Sequence, residues 1–155
     1  MAPKLHNHWP REVIRATRGL RISLEPSFDP SVHLLFWEVV DQTFVRVVIS
    51  GYADVTHQQV KAPAMVSKMS YDELTSDLLL AAGRTKDVIA LDGISADIAW
   101  RGAAKVHDLR FDQVVATTPL ANVLVMAVDA ALEALKLRPC IDALNAVRGY
   151  MSNKS

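Results

Sequence analysis

The chain has 155 residues, the length of one ordinary domain, and with half of its residues hydrophobic, 22% charged, six Gly and seven Pro it falls among globular proteins and outside the disordered and collagen-like classes. Seventeen Lys and Arg balance seventeen Asp and Glu, which excludes a broadly basic nucleic-acid binder. The single cysteine, Cys140, excludes an intramolecular disulfide and makes the cytoplasm the expected compartment.

Residues 1–9 contain no apolar run of signal-peptide length and read as a mobile arm on a single domain spanning 1–155. Pro10 suits the first turn of a helix on which Trp9, Val13, Ala16 and Leu20 recur at helical spacing. Arg11, Arg15 and Arg18 form a basic stripe on its other face. Residues 1–21 carry five basic side chains against Glu12 alone, so the remainder is acidic by the same margin. That stripe is the candidate interaction face, read as solvated first, as a protein contact second and as a nucleic-acid contact last. Leu20 to Glu25 then alternates apolar and polar like a half-buried strand, and Pro26 closes it.

Residues 29–51 admit two readings. Asp29-Pro30 as cap and first helical residue, Gly51 as stop, and Glu38, Asp41, Gln42, Arg46 and Ser50 along one face predict a helix. The β-branched run through Val39, Val40, Thr43, Val45, Val47, Val48 and Ile49, with a turn at Asp41-Gln42, describes a hairpin instead. The helix is the expectation adopted.

Ser70 and Glu73 form a capping box before the stripe of Leu74, Leu78, Leu79 and Ala82, with Gly83 as stop. Lys86 to Leu91 reads as a short buried strand, Asp92-Gly93 as a tight turn, and Ile94 to Trp100 and Ala104 to Phe111 as further strands. Thr118-Pro119 opens a long helix. Its stretch Leu120 to Leu137 is interrupted by Asp129, Glu133 and Lys136, which makes it a soluble core helix rather than a membrane span. After a break at Arg138-Pro139, Ile141, Leu144 and Val147 give a second C-terminal helix. This order predicts an α+β domain with a small antiparallel or mixed sheet packed against several helices, two of them at the C-terminus.

The residues point to no catalytic, cofactor or metal site. His6 and His8 lack further ligands nearby, and His33, His57 and His107 are scattered. Cys140, near a helix start, reads as a small buried residue rather than a nucleophile. Tyr52, Asp54 and His57 form the one local titratable group that follows an element end, and they stand as a minor candidate pocket. His107 and Asp108 would face opposite sides of a strand. Apolar helix faces leave self-association open.

Arg21-Ile22-Ser23-Leu24, then His33-Leu34-Leu35-Phe36-Trp37-Glu38, then Ser50-Gly51-Tyr52-Ala53-Asp54-Val55 together resemble the N-terminal half of RsaM-type proteins, small regulators of acyl-homoserine-lactone quorum sensing. The resemblance covers about residues 20–150 and implies a strand, a helix containing His33-Leu34 and the C-terminal helices. Ala53-Asp54-Val55 stands where the family favours Thr-Glu-Trp, and Ile94 to Arg101 loosely echoes its Ser-Ile-Gly-Trp-Asp-Trp segment. Gly51, Tyr52 and Trp100 are therefore motif positions only. What the resemblance implies is a non-enzymatic cytoplasmic regulator that represses signalling through a protein partner or weak nucleic-acid contact. The alternative is an immunity or adaptor protein that neutralises one partner.

Overall fold

In a sheet, residues of one strand alternate between faces, so a strand with apolar side chains at every second position must lay them on something. The first strand, β1 (Gly19–Pro26), sets Leu20, Ile22 and Leu24 on one side, where they are fully buried. The computed structural model describes residues 18–27, 29–39, 42–50, 57–59, 64–66, 69–84, 93–101, 106–116, 118–135 and 138–152.

Antiparallel to β1 on one side runs β2 (Ser31–Val39), followed by β3 (Gln42–Ser50), with Val39 opposite Gln42 at the closed end. The outer side of β3 is shared by two short strands, β4 (His57–Gln59) against its C-terminal end and β5 (Ala64–Val66) against its N-terminal end. The helix α1 (Tyr71–Arg84) follows. The chain then returns to the other side of β1 as β6 (Ile94–Arg101), with β7 (Val106–Phe111) beyond it. The spatial order β4-β3-β2-β1-β6-β7, with β5 also on β3, is a seven-stranded antiparallel sheet centred on the earliest of the described strands. Two helices close the domain, α2 (Pro119–Ala134) and α3 (Arg138–Met151).

The helices lie on one face. Val32, Leu34 and Phe36 of β2, Val45 and Val47 of β3, and Ile94, Ala96 and Ile98 of β6 join the three β1 side chains in a core with Leu74 and Leu78 of α1, Leu120, Leu124, Ala127, Val128 and Ala131 of α2, and Leu144 and Val147 of α3. Local chemistry sets the helix ends as expected. Ser70 Oγ accepts a hydrogen bond from the Glu73 amide, and Thr118 Oγ1 accepts from the Ala121 amide with Pro119 in the first turn. Arg148 Nε donates to Asp129 across α2 and α3 at 2.7 Å, and the Tyr150 hydroxyl donates to Asp29 at the β1–β2 connection.

The α+β architecture with two C-terminal helices is as the sequence predicts. The stretch 29–51 is the main correction: within it Ser31–Val39 and Gln42–Ser50 form the antiparallel pair β2 and β3, not a helix, and His33-Leu34 lies in a strand. The physical reason is two-sided burial. Val32 through Trp37 are all buried, as are Val45 through Val48, and a helix of this sequence would expose about half of those side chains. Leu20 belongs to β1 and not to the preceding helix, and α3 runs through Gly149 to Met151. The expected mobile arm at 1–9, the helix from Pro10 with Arg11 and Arg15, and the Lys86–Leu91 strand lie outside the described residues.

Gly93 enters β6 with φ +145°, a region L side chains rarely adopt. Its amide donates to Ser27 Oγ and its carbonyl accepts from the Ser27 amide, which ties the ends of β1 and β6 together. An added Cβ would also overlap the Gln113 side chain, whose flexible end can move. Gly93→Ala is therefore expected to cost about 1–3 kcal/mol, mostly through backbone strain, as read by urea unfolding; an unchanged midpoint would show that the turn relaxes freely.

Candidate functional site

The face of the sheet away from the helices should be the wet one, yet it is closed over its centre. Arg21 is 1% exposed, and Ser23, His33, Leu35, Trp37, Arg46, Val48 and Ala99 are buried beside it. Strand register arranges these residues in rows. One row runs Arg110, Asp97, Ser23, His33 and Val48 across β7, β6, β1, β2 and β3. The next runs Asp108, Ala99, Arg21, Leu35 and Arg46, and a third places Trp37 beside Phe44, their rings stacked with centroids 5.9 Å apart.

Burying an ionised group is costly unless other groups compensate. Desolvation holds the Arg21 guanidinium below its ordinary pKa, and the nearby charges of Asp97 and Asp108 oppose that shift. Arg21 Nη2 lies 3.7 Å from Asp97 Oδ1, an ion pair without a hydrogen bond between those two atoms. Asp97 is pushed up to about 6, chiefly by burial and then by the neighbouring Asp108 carboxyl. Ser23 Oγ and His33 Nδ1 are 2.8 Å apart.

A serine, a histidine and an aspartate in one row invite comparison with a hydrolytic triad. The order differs: the serine stands between the other two, so Asp97 is beside Ser23 and cannot orient the imidazole as a triad acid does. What the arrangement does well is hold charge and hydrogen-bonding capacity inside a rigid sheet, on strands whose other face anchors the core.

Arg18, the described member of the basic stripe, is engaged within its own domain. Its guanidinium donates to Glu38 of β2 and to Asp72 of α1, each at 2.7 Å, and stands 5.1 Å from the Tyr71 ring centre. These carboxylates raise its pKa. Trp100 of β6 is half-buried on the helix-bearing face, opposite Leu20 and packed against the core. His57 occupies β4 opposite Ser50, whereas Gly51, Tyr52 and Asp54 lie outside the described residues. In the register Asp108 is opposite Ala99 and His107 opposite Trp100. Cys140 is in the first turn of α3.

The sequence reading missed Arg21, Ser23, His33, Arg46 and Asp97 as a group. The available signal was the period-two pattern of Leu20 to Glu25, which puts Arg21 and Ser23 on one side; with 29–51 taken as a helix, His33 and Arg46 had no route to that side.

No helix among the described residues is long and apolar enough to cross a membrane. No protein-family model and no curated protein matches the chain.

If the Ser23–His33 contact is an energetic link, Ser23→Ala and His33→Ala should be non-additive in a double-mutant cycle, with a coupling of about 0.5–1.5 kcal/mol in unfolding free energy. Simple additivity would reduce the contact to proximity.

Proposed function

We propose that this protein is a small non-catalytic cytoplasmic regulator, similar to RsaM-type proteins, that lowers acyl-homoserine-lactone signalling through a protein partner. One observation supports the reading above others. The segments Arg21-Ile22-Ser23-Leu24 and His33-Leu34-Leu35-Phe36-Trp37-Glu38, which carry the resemblance, are neighbouring strands in register, and Arg21, Ser23, His33, Leu35 and Trp37 meet on one buried face. His33-Leu34 stands there in a strand where the resemblance implies a helix, so what supports the reading is that the two segments are neighbours and not their secondary structure.

A protein partner is favoured over nucleic acid because Arg18 is matched by two carboxylates, which leaves its charge poorly placed to neutralise phosphate. The helix layer offers a surface of the other kind. Leu79 and Leu80 of α1 are 47% and 57% exposed, and Met126 of the adjoining α2 is 47% exposed. These exposed apolar side chains are also what the second reading would use, an immunity or adaptor protein that neutralises one partner.

Deleting the gene in a signal-producing host is expected to raise acyl-homoserine-lactone several-fold, with restoration by the wild-type chain; unchanged signal would overturn the regulatory reading. The second reading predicts a one-to-one complex with the product of a neighbouring gene, weakened by Leu79→Glu and Leu80→Glu with thermal stability unaltered. Co-expression without complex formation would remove it.

A further inference from the structure

A sheet edge carries backbone N–H and C=O groups that an added strand can take up. The outer side of β3 is divided between β4 and β5, three residues each, which are too short to template another chain. At the opposite edge β7 is a continuous run of six, Val106–Phe111, and among the described residues it pairs with β6 alone. Its side chains alternate between the two faces of the sheet. Leu109 and Phe111 stand opposite Ile98 and Ala96 on the helix-bearing face, where Leu109 is half-buried and Phe111 is buried. Asp108 and Arg110 take the other face and are both exposed, the Arg110 side chain by 55%. Asp108 is opposite Ala99, which offers it no charge.

We propose that β7 is the docking edge for a second copy of this chain, whose own β7 adds antiparallel to the first about a twofold axis normal to the sheet at Leu109. Charge complementarity selects both the occupant and the register. With Leu109 opposite its own copy, Asp108 of each chain stands opposite Arg110 of the other, on the exposed face, so the symmetry supplies two cross-strand pairs of unlike charge. Opposed residues must share a face, so the partner strand can slip only by two residues at a time. Either such slip centres the pair on Asp108 or on Arg110 and sets like charges opposite each other, which is destabilising. Charges of a single sign guard an edge against pairing; unlike charges two residues apart do the reverse for an identical strand. Arg110 also neighbours Asp112 and Asp97 of its own chain, at 3.4 and 4.0 Å. A guanidinium carries five N–H donors, so a carboxylate from the second copy adds to these contacts rather than displacing them.

One strand pair buries less area than a standard interface, so the dimer is expected to be weak, with a Kd in the micromolar range. This inference is independent of the signalling role, since it concerns the purified chain.

The test is sedimentation velocity of the full-length chain across the micromolar range, with circular dichroism to establish that each variant is folded. The wild type should show a reversible monomer–dimer equilibrium. By symmetry each substitution acts twice, so Arg110→Asp and Asp108→Arg should each weaken self-association by about tenfold. Mixed with each other, these two variants should form a heterodimer of about wild-type affinity, because every cross-strand pair is then again of unlike sign. Asp108→Asn, which removes the pairs without adding repulsion, should weaken the dimer about threefold and keeps the test available if a charge reversal does not fold. Asp77→Asn, in α1, should associate like the wild type. A wild-type chain that stays monomeric, a dimer indifferent to these charges, or folded variants that do not associate on mixing overturns the proposal.

Discussion

The structure depends on burying its central strand from both sides while half of that strand is polar. β1 has hydrogen-bonded neighbours along both edges, so its side chains can leave only through the two faces. Leu20, Ile22 and Leu24 meet the helices, and this is the ordinary solution. Arg21 and Ser23 meet a second closed face, where a guanidinium 1% exposed must be compensated or the strand cannot sit there. The nearby charges of Asp97 on β6 and Asp108 on β7 oppose that cost, while Ser23 and His33 of β2 stand 2.8 Å apart on the other side. β6 therefore does two things at once. Ile94, Ala96 and Ile98 extend the core, and Asp97 between them answers the charge of β1.

Removing one member of this group leaves others buried with their charge or hydrogen-bonding capacity exposed to a poor environment. Such a cluster is weak evidence for stability but strong evidence for register. A one-residue slip of β1 against β2 would turn Arg21 and Ser23 toward the helices and set Leu20 and Ile22 on the polar side. The apolar rows alone would tolerate several strand offsets; Ser23 opposite His33 and Arg21 near Asp97 tolerate one.

Elements whose signals are local were legible in the sequence. Ser70 with Glu73, and Thr118 with Pro119, act within four residues of themselves, and the helices start where those residues place them. The strand from Leu20 to Glu25 was legible as well, because its alternation survives whatever it packs against. Residues 29–51 were misread because Asp29-Pro30 and Gly51 have meanings that are real for a helix and equally compatible with strand ends. Deciding between them required knowing that Val32 to Trp37 would be buried on both sides, which is a property of the assembled sheet and not of the segment. The candidate site inherited that error. Arg46 on a helix is one more charge on a surface stripe; on β3, two strands from Arg21 and in its row, it is part of a buried basic pair flanking Leu35.

The same relation between local sign and assembled context governs charge. Neutrality summed over the chain concealed a basic start on an acidic body, and Arg18 shows how the two are used: its guanidinium joins Glu38 of β2 to Asp72 at the start of α1, where an acidic residue already suits the helix dipole. That contact links the sheet to the helix layer at the entry to β1, and the aromatic face of Tyr71 completes the enclosure. Cation, carboxylates and ring come from three separated segments, so the cationic residue that looked available for a partner is consumed in fixing where β1 begins. What the fold leaves outward includes apolar side chains of α1 and α2, Leu79, Leu80 and Met126 among them. The polar chemistry of the sheet works inward, setting the alignment of strands on which that outward surface rests.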